Sequence, residues 1–224
     1  MPHILTSEIR AGLAAGANAE KAHYMQKYAK SEMPFRGVQA DVQRKIYAEA
    51  LKQYPITTKE EYELVIRELW QAEYREERYG AFYVAEKYGK FQTMEMLPLY
   101  REMIVTSAWW DLVDAIAAHL IGALLAKYPQ EMKPALYQWI EDDDLWIRRS
   151  AILAQLTFKD KTDWRTLEDF CAKCLEEKSF WIRKAIGWAL RQYSKSNADA
   201  VKNFVERYKD KMSGVTYREA RKYI

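Results

Sequence analysis

Apolar residues recur along nearly the whole chain at the spacing of helices that bury one face. The pattern is clear in KEEYELVIRELW, where the apolar positions i, i+3, i+4, i+7 and i+8 are Tyr62, Val65, Ile66, Leu69 and Trp70. Prolines separate such segments, at Pro34, Pro55, Pro98 and Pro129, and Pro134 fits the first turn of a further helix. Six prolines and eight glycines are few for a protein built on β-turns. The pattern therefore predicts an all-α protein.

The helical segments repeat with a period of about 36 residues. Trp146 opens WIRR and Trp181 opens WIRK, 35 residues later, and Trp110, Tyr74 and Val38 extend the series backwards in steps of 36. A helix pair of this length cannot bury its own apolar face, so neighbouring pairs must stack. We expect an α-solenoid of HEAT-like helix pairs, curved, with a concave face. We predict one domain over residues 1–224, with about six helical repeats, the N-terminal ones less regular.

The HEAT resemblance assigns structural roles within a repeat. Asp144, Ile147, Arg148 and Ala151 match the aspartate, aliphatic-arginine pair and small residue that such units commonly carry. Arg148, and by register Arg183, should therefore link neighbouring repeats. Arg149 lies about 100° further round the helix and should face elsewhere.

The segment VTSAWWDLVDAI places a carboxylate in an apolar helix. Asp114 follows Trp110 by four residues and shares its helical face. An unpaired buried carboxylate is costly, so Asp114 is either a functional group or one partner of a structural ion pair. Trp109 is expected in the core, and Asp111 is expected to be solvated or a helix cap. The repeat register groups Trp110 and Asp114 with Arg149 and Trp188 as candidates for one surface.

Positive charge is concentrated near the C-terminus. The net charge is +3, but residues 181–224 hold eleven Lys or Arg against four acids, which is +7. Lys184, Trp188 and Arg191 form a helical stripe within this segment. The asymmetry indicates either a surface for a polyanion or a solvated helical face.

Other chemistry is weakly indicated. Cys171 and Cys174 lack the remaining ligands of a zinc site, so we expect a buried structural pair. No glycine-rich phosphate loop, nucleophile elbow or acid-positioned histidine is present. No apolar run reaches the roughly 18 residues of a membrane span. The first residues do not resemble a signal peptide, so we expect a cytoplasmic protein. We also expect a monomer that holds no cofactor or metal.

Three segments carry a more specific resemblance: IVTSAWWDLVDAI, DLWIRRSAIL and FWIRKAIGWALRQY. Together they resemble the AlkD-type alkylpurine DNA glycosylases, and the similarity extends to MQKYAKSEMPFRGV and to the terminal YREARKYI. The resemblance places the family's catalytic aspartate on Asp114 and its lesion-contacting aromatic residues on Trp110, Trp188 and, through a looser alignment, Tyr28. It places the family's DNA-backbone arginine on Arg149.

The resemblance implies an enzyme that acts on double-stranded DNA. Such enzymes hydrolyse the N-glycosidic bond of cationic N3- and N7-alkylated purines, leave an abasic site, and act while the lesion stays stacked. Lys184 and Arg191 join Arg149 as expected contacts to the DNA backbone, which would make binding largely independent of sequence and sensitive to salt. Two alternatives stay open: a HEAT-repeat protein that binds DNA without excision, and a protein-interaction scaffold.

Overall fold

The protein is all-α, as the periodicity predicts. A computed structural model describes residues 1–224, and it contains helices and turns without a β-strand. The chain divides into two compact units, Met1–Met96 and Leu97–Ile224. The single repeat domain stays a prediction, and the two units are described separately.

The first unit consists of five α-helices followed by two short 3-10 turns. The helices are α1 (Ile4–Ala15), α2 (Ala19–Ala29), α3 (Ala40–Gln53), α4 (Lys59–Trp70) and α5 (Arg75–Lys87), and the turns are Gly89–Phe91 and Met94–Met96.

Helix α4 shows how local sequence sets the bounds of these helices. Its N-terminus is a capping box, in which the Thr58 side chain accepts from the Glu61 amide and the Glu61 side chain accepts from the Thr58 amide. The five apolar positions predicted for this helix are all buried: Tyr62, Val65, Ile66, Leu69 and Trp70. The helical pattern continues into the next segment, but the helix ends at Trp70 and α5 begins at Arg75.

The second unit contains the remaining helices. They are α6 (Leu97–Ser107), α7 (Trp110–Ala115), a π-helical segment (Ile116–Ile121), α8 (Gly122–Lys127), α9 (Pro129–Trp139), α10 (Leu145–Leu153), α11 (Trp164–Lys173), α12 (Phe180–Ser194), α13 (Ala198–Tyr208) and α14 (Gly214–Ala220). Three 3-10 turns complete it: Lys159–Lys161, Lys209–Lys211 and Arg221–Tyr223.

The repeat signature of α10 has the structural role that the sequence suggests. Asp144 caps the helix by accepting from the amides of Trp146 and Ile147. Arg148 binds Glu177, which precedes α12, with 2.7 Å between Nε and Oε1, and this confirms its role as a link between helix pairs. Arg183 instead donates to the Glu177 carbonyl, in the turn directly before its own helix.

Two further sequence expectations meet different outcomes. Cys171 and Cys174 are free and buried, so the expectation that they are buried is confirmed. Pro134 lies inside α9, which begins at Pro129, so its placement in the first helical turn was wrong. Pro129 occupies that first turn instead, where its missing N–H costs no helical hydrogen bond. None of the helices combines the length and the apolar character needed to cross a membrane.

Candidate functional site

Helix α7, which contains Asp114, begins directly after a sharp break between two helices. Helix α6 ends at Ser107, and Ala108 has a left-handed backbone with φ of 41°. Trp109 is extended, with φ of −151° and ψ of 140°, and α7 begins at Trp110. The following π-helical segment is uncommon in proteins, and such segments are frequent at functional sites. Asp114 therefore lies one turn into a new helix and just before an irregular one.

Asp114 forms a buried ion pair with Arg149 of α10. Nε of Arg149 lies 2.6 Å from Oδ1 of Asp114, and Nη2 lies 2.8 Å from Oδ2. This bidentate geometry is the strong form of an arginine–carboxylate contact. Asp114 is 8% exposed and Arg149 is 2% exposed. Nη1 of Arg149 also donates to the carbonyl of Trp181 in α12, so one guanidinium joins α7, α10 and α12.

The environment has opposing effects on the acidity of Asp114. Burial raises the pKa of its carboxyl above the ordinary value, because the charged form loses its hydration. The hydrogen bonds and charge of Arg149 act in the opposite direction, and burial is the larger effect. A carboxylate held in this way can stabilise positive charge that develops beside it, since little water screens the interaction.

The tryptophans near this pair separate into two groups. Trp109 packs against Trp146 and Trp181, with ring centroids 6.2 and 5.3 Å apart, and Trp146 and Trp181 are 5.4 Å apart. Trp109 thus belongs to a tryptophan cluster, but it is half-buried rather than enclosed in the core. Trp110 and Trp188 are also half-buried, so each exposes part of its indole to solvent.

The structure shows where each expected backbone-binding cation lies. Arg149 is enclosed in its contacts with Asp114 and Trp181, so little of it faces solvent. Lys184 and Arg191, both on α12, donate to Glu219 at 2.7 and 2.6 Å. Phosphate binding by these three residues stays a prediction.

Tyr28 belongs to the first compact unit. It lies near the end of α2 and is 82% exposed, and Tyr24, four residues earlier, is also exposed. Its side chain is free to meet a ligand, and its expected contact with a lesion stays a prediction.

Sequence reasoning grouped Asp114 with Arg149 on one surface without pairing them, and it missed the partner of Lys184. The structure shows that Asp114 and Arg149 bind each other directly. Glu219 was counted as one acid of a basic segment, although it binds Lys184. Both pairs are separated by 35 residues, so the positions 114, 149, 184 and 219 form one charged series. Opposite charges spaced 35 residues apart are the sequence signal that could have identified both pairs.

Comparison with known proteins identifies relatives along nearly the whole chain. The model of the DNA alkylation repair enzyme family matches residues 9–224. A solved structure described as a predicted DNA alkylation repair enzyme from Enterococcus faecalis is 29% identical, with a TM-score of 0.86, and covers 93% of this chain and 96% of its own. AlkD2 from Streptococcus mutans is 19% identical, with a TM-score of 0.66, and covers 91% of this chain and 99% of its own, which supports the fold alone. No curated protein matches the chain.

Proposed function

Because the chain belongs to the family of DNA alkylation repair enzymes, we propose that it is a monofunctional DNA glycosylase for cationic alkylated purines. Its substrates are 3-methyladenine and 7-methylguanine in duplex DNA, and its product is an abasic site. The observation that carries this proposal is the carboxylate of Asp114, which lies on the same helix as Trp110. Arg149 of α10 holds this carboxylate in a bidentate ion pair.

The chemistry of the lesion matches what this site offers. Alkylation at N3 of adenine or N7 of guanine makes the base cationic and a good leaving group, so no general acid is needed to expel it. Positive charge develops on the deoxyribose as the glycosidic bond breaks. The ionised Asp114 stabilises that charge and orients the attacking water.

The remaining residues bind the DNA. Trp110 and Trp188 contact the sugar and the cationic nucleotide through their exposed indole faces, and cation–π attraction contributes ~0.5–2 kcal/mol. Tyr28, in the first compact unit, is a further proposed contact to DNA. Lys184 and Arg191 bind backbone phosphates, while the buried Arg149 positions Asp114.

Base release from a defined duplex tests the proposal. A duplex with a single 7-methylguanine is incubated with excess enzyme, free base is measured by chromatography, and strand cleavage is assayed with and without alkali. We expect free 7-methylguanine and a strand that breaks only after alkali. Asp114→Asn should lower the single-turnover rate by about 100-fold or more, as expected for loss of a group that stabilises transition-state charge. Asp111→Asn removes a carboxylate from the same helix and should leave the rate within about threefold of wild type.

The assay temperature must keep Asp114→Asn folded, as judged by circular dichroism, because Arg149 loses its buried partner in this variant. A folded Asp114→Asn protein with undiminished release would refute the catalytic role. Wild-type protein that binds duplex DNA tightly and releases no base would instead be a HEAT-repeat DNA-binding protein without excision. A protein that neither binds nor cleaves DNA would favour an interaction scaffold.

A further inference from the structure

Glu219 of α14 binds three cations at once. Its Oε1 accepts from Nζ of Lys184 at 2.7 Å and from Nζ of Lys222 at 3.1 Å, and its Oε2 accepts from Nη1 of Arg191 at 2.6 Å. The two ammonium groups share one oxygen and therefore lie close together. One carboxylate thus gathers three positive charges that would otherwise repel each other.

The carboxylate lies beneath the cations. The side chain of Glu219 is 11% exposed, whereas those of Lys184, Lys222 and Arg191 are 40, 49 and 24% exposed. Each lysine ammonium has three N–H donors and the guanidinium has five, so most donors remain available after Glu219 is satisfied. The group presents positive charge to solvent and keeps its negative charge below the surface.

Tight backbone packing fixes Glu219 in this position. A Cβ atom at Gly187 of α12 would lie 2.6 Å from Cβ of Glu219 and 3.1 Å from the carbonyl oxygen of Thr216, so α14 approaches α12 as closely as a glycine permits. The hydroxyl of Thr216 also donates to the carbonyl of Arg183 at 3.1 Å. The carboxylate therefore has a fixed place relative to the cations of α12.

We propose that Glu219 is a positioning residue that preorganises Lys184, Arg191 and Lys222 as one binding site for the backbone phosphates of duplex DNA. The inference rests on the proposed contact with DNA and adds Glu219 and Lys222 to it. Trp188 lies between Lys184 and Arg191 on α12, so this phosphate site flanks one of the indoles assigned to the lesion.

Preorganisation and net charge predict opposite effects of removing Glu219. Replacing Glu219 by glutamine adds one positive charge to the surface, which by itself strengthens attraction to DNA. It also frees three long side chains, which then lose conformational entropy when they bind DNA. Because three side chains lose their restraint and one charge is gained, we expect the loss of order to dominate.

The test is the affinity of the full-length protein for an undamaged, fluorescein-labelled 20-base-pair duplex, measured by anisotropy at several salt concentrations. Glu219→Gln should bind about 3- to 10-fold more weakly at 150 mM salt. The matched control is Glu206→Gln, which removes an exposed acid from α13 and should bind as tightly as wild type or slightly more tightly. Equal or tighter binding by Glu219→Gln would overturn the proposal.

A second variant keeps the proposal testable if Glu219→Gln fails to fold. Lys222→Ala should reduce the slope of log affinity against log salt by about 0.9, the value for one lost phosphate contact. Lys202→Ala removes an exposed lysine of α13 outside the group and should leave the slope unchanged. Equal slopes for the two lysine variants would refute the assigned contact. Binding to undamaged DNA is measured without excision, so failure of this inference is distinguishable from failure of the glycosylase proposal.

Discussion

Breaking the Asp114–Arg149 pair should destabilise the protein far more when one charge is removed than when both are. Asp114→Asn leaves the guanidinium of Arg149 buried without its counter-charge, and Arg149→Met leaves the carboxylate in the same position. Removing one partner of a buried ion pair costs about 3–5 kcal/mol, whereas replacing both by uncharged groups is often close to neutral. Arg149→Met should be the more damaging single change, because it also leaves the carbonyl of Trp181 without the guanidinium donor.

These costs correspond to a large change in melting temperature. For a protein of this size, 1 kcal/mol shifts the midpoint by roughly 2–4 °C, so each single variant should melt about 6–20 °C below wild type. The double variant Asp114→Asn/Arg149→Met should recover most of that loss. The coupling free energy from the double-mutant cycle should therefore be about 3 kcal/mol or more, which is large for any pair of residues.

The assay is urea unfolding followed by circular dichroism at 222 nm, pH 7, for wild type, both single variants and the double variant. Asp111→Asn, on the same helix but outside the pair, should unfold within about 0.5 kcal/mol of wild type, as is usual for substitutions away from buried networks. Destabilisations that simply add in the double variant would show that the two charges do not depend on each other. The reasoning from burial and bidentate geometry would then be wrong.

Three further predictions concern the second compact unit. Gly122→Ala would place Cβ 2.7 Å from the backbone carbonyl oxygen of Ala154, the residue directly after α10, so we expect about 1–3 kcal/mol of destabilisation in the same urea assay. Cys171 and Cys174 should resist a thiol reagent at pH 8 until the protein is unfolded, because burial raises the pKa of both thiols, that of Cys174 to about 11. The hydrogen bond from Lys184 holds the pKa of Glu219 below its ordinary value of 4.5, so its contribution to stability is present above that value and is lost as the pH falls through the folded pKa. The difference in unfolding free energy between wild type and Glu219→Gln should therefore shrink between pH 6 and pH 3, and a constant difference would contradict this.

The helices and the capping role of Asp144 were predictable because they depend on local sequence. The ion pair of Arg148 with Glu177, 29 residues later, followed from the HEAT resemblance and not from local pattern. Arg183, which was predicted to make the equivalent link, binds the turn before its own helix instead. The five buried positions of α4 followed from the period of a regular helix.

The partner of Asp114 was harder to predict for two physical reasons. The sequence pattern assumes 3.6 residues per turn, and the π-helical segment after α7 departs from that period. Contact between α7 and α10 also depends on how the two helices pack, which the repeat period alone does not determine. The sequence therefore placed Asp114 and Arg149 on one surface without showing that they bind each other. The sequence left an ion pair and a functional carboxylate open as alternatives for Asp114, and the pair that is observed is compatible with both.

The two ion pairs in the charged series at 114, 149, 184 and 219 differ in which charge is buried. In the first pair the cation lies deeper, with the side chain of Arg149 3% exposed and that of Asp114 11% exposed. In the second pair the acid lies deeper, since Glu219 is 11% exposed and Lys184 is 40% exposed. Under the proposed function, the more exposed partner of each pair meets the DNA, so the first pair offers a carboxylate and the second offers an ammonium group. The proposed reaction develops positive charge on a sugar between two negatively charged phosphates and needs both groups, and net charge alone cannot supply this arrangement.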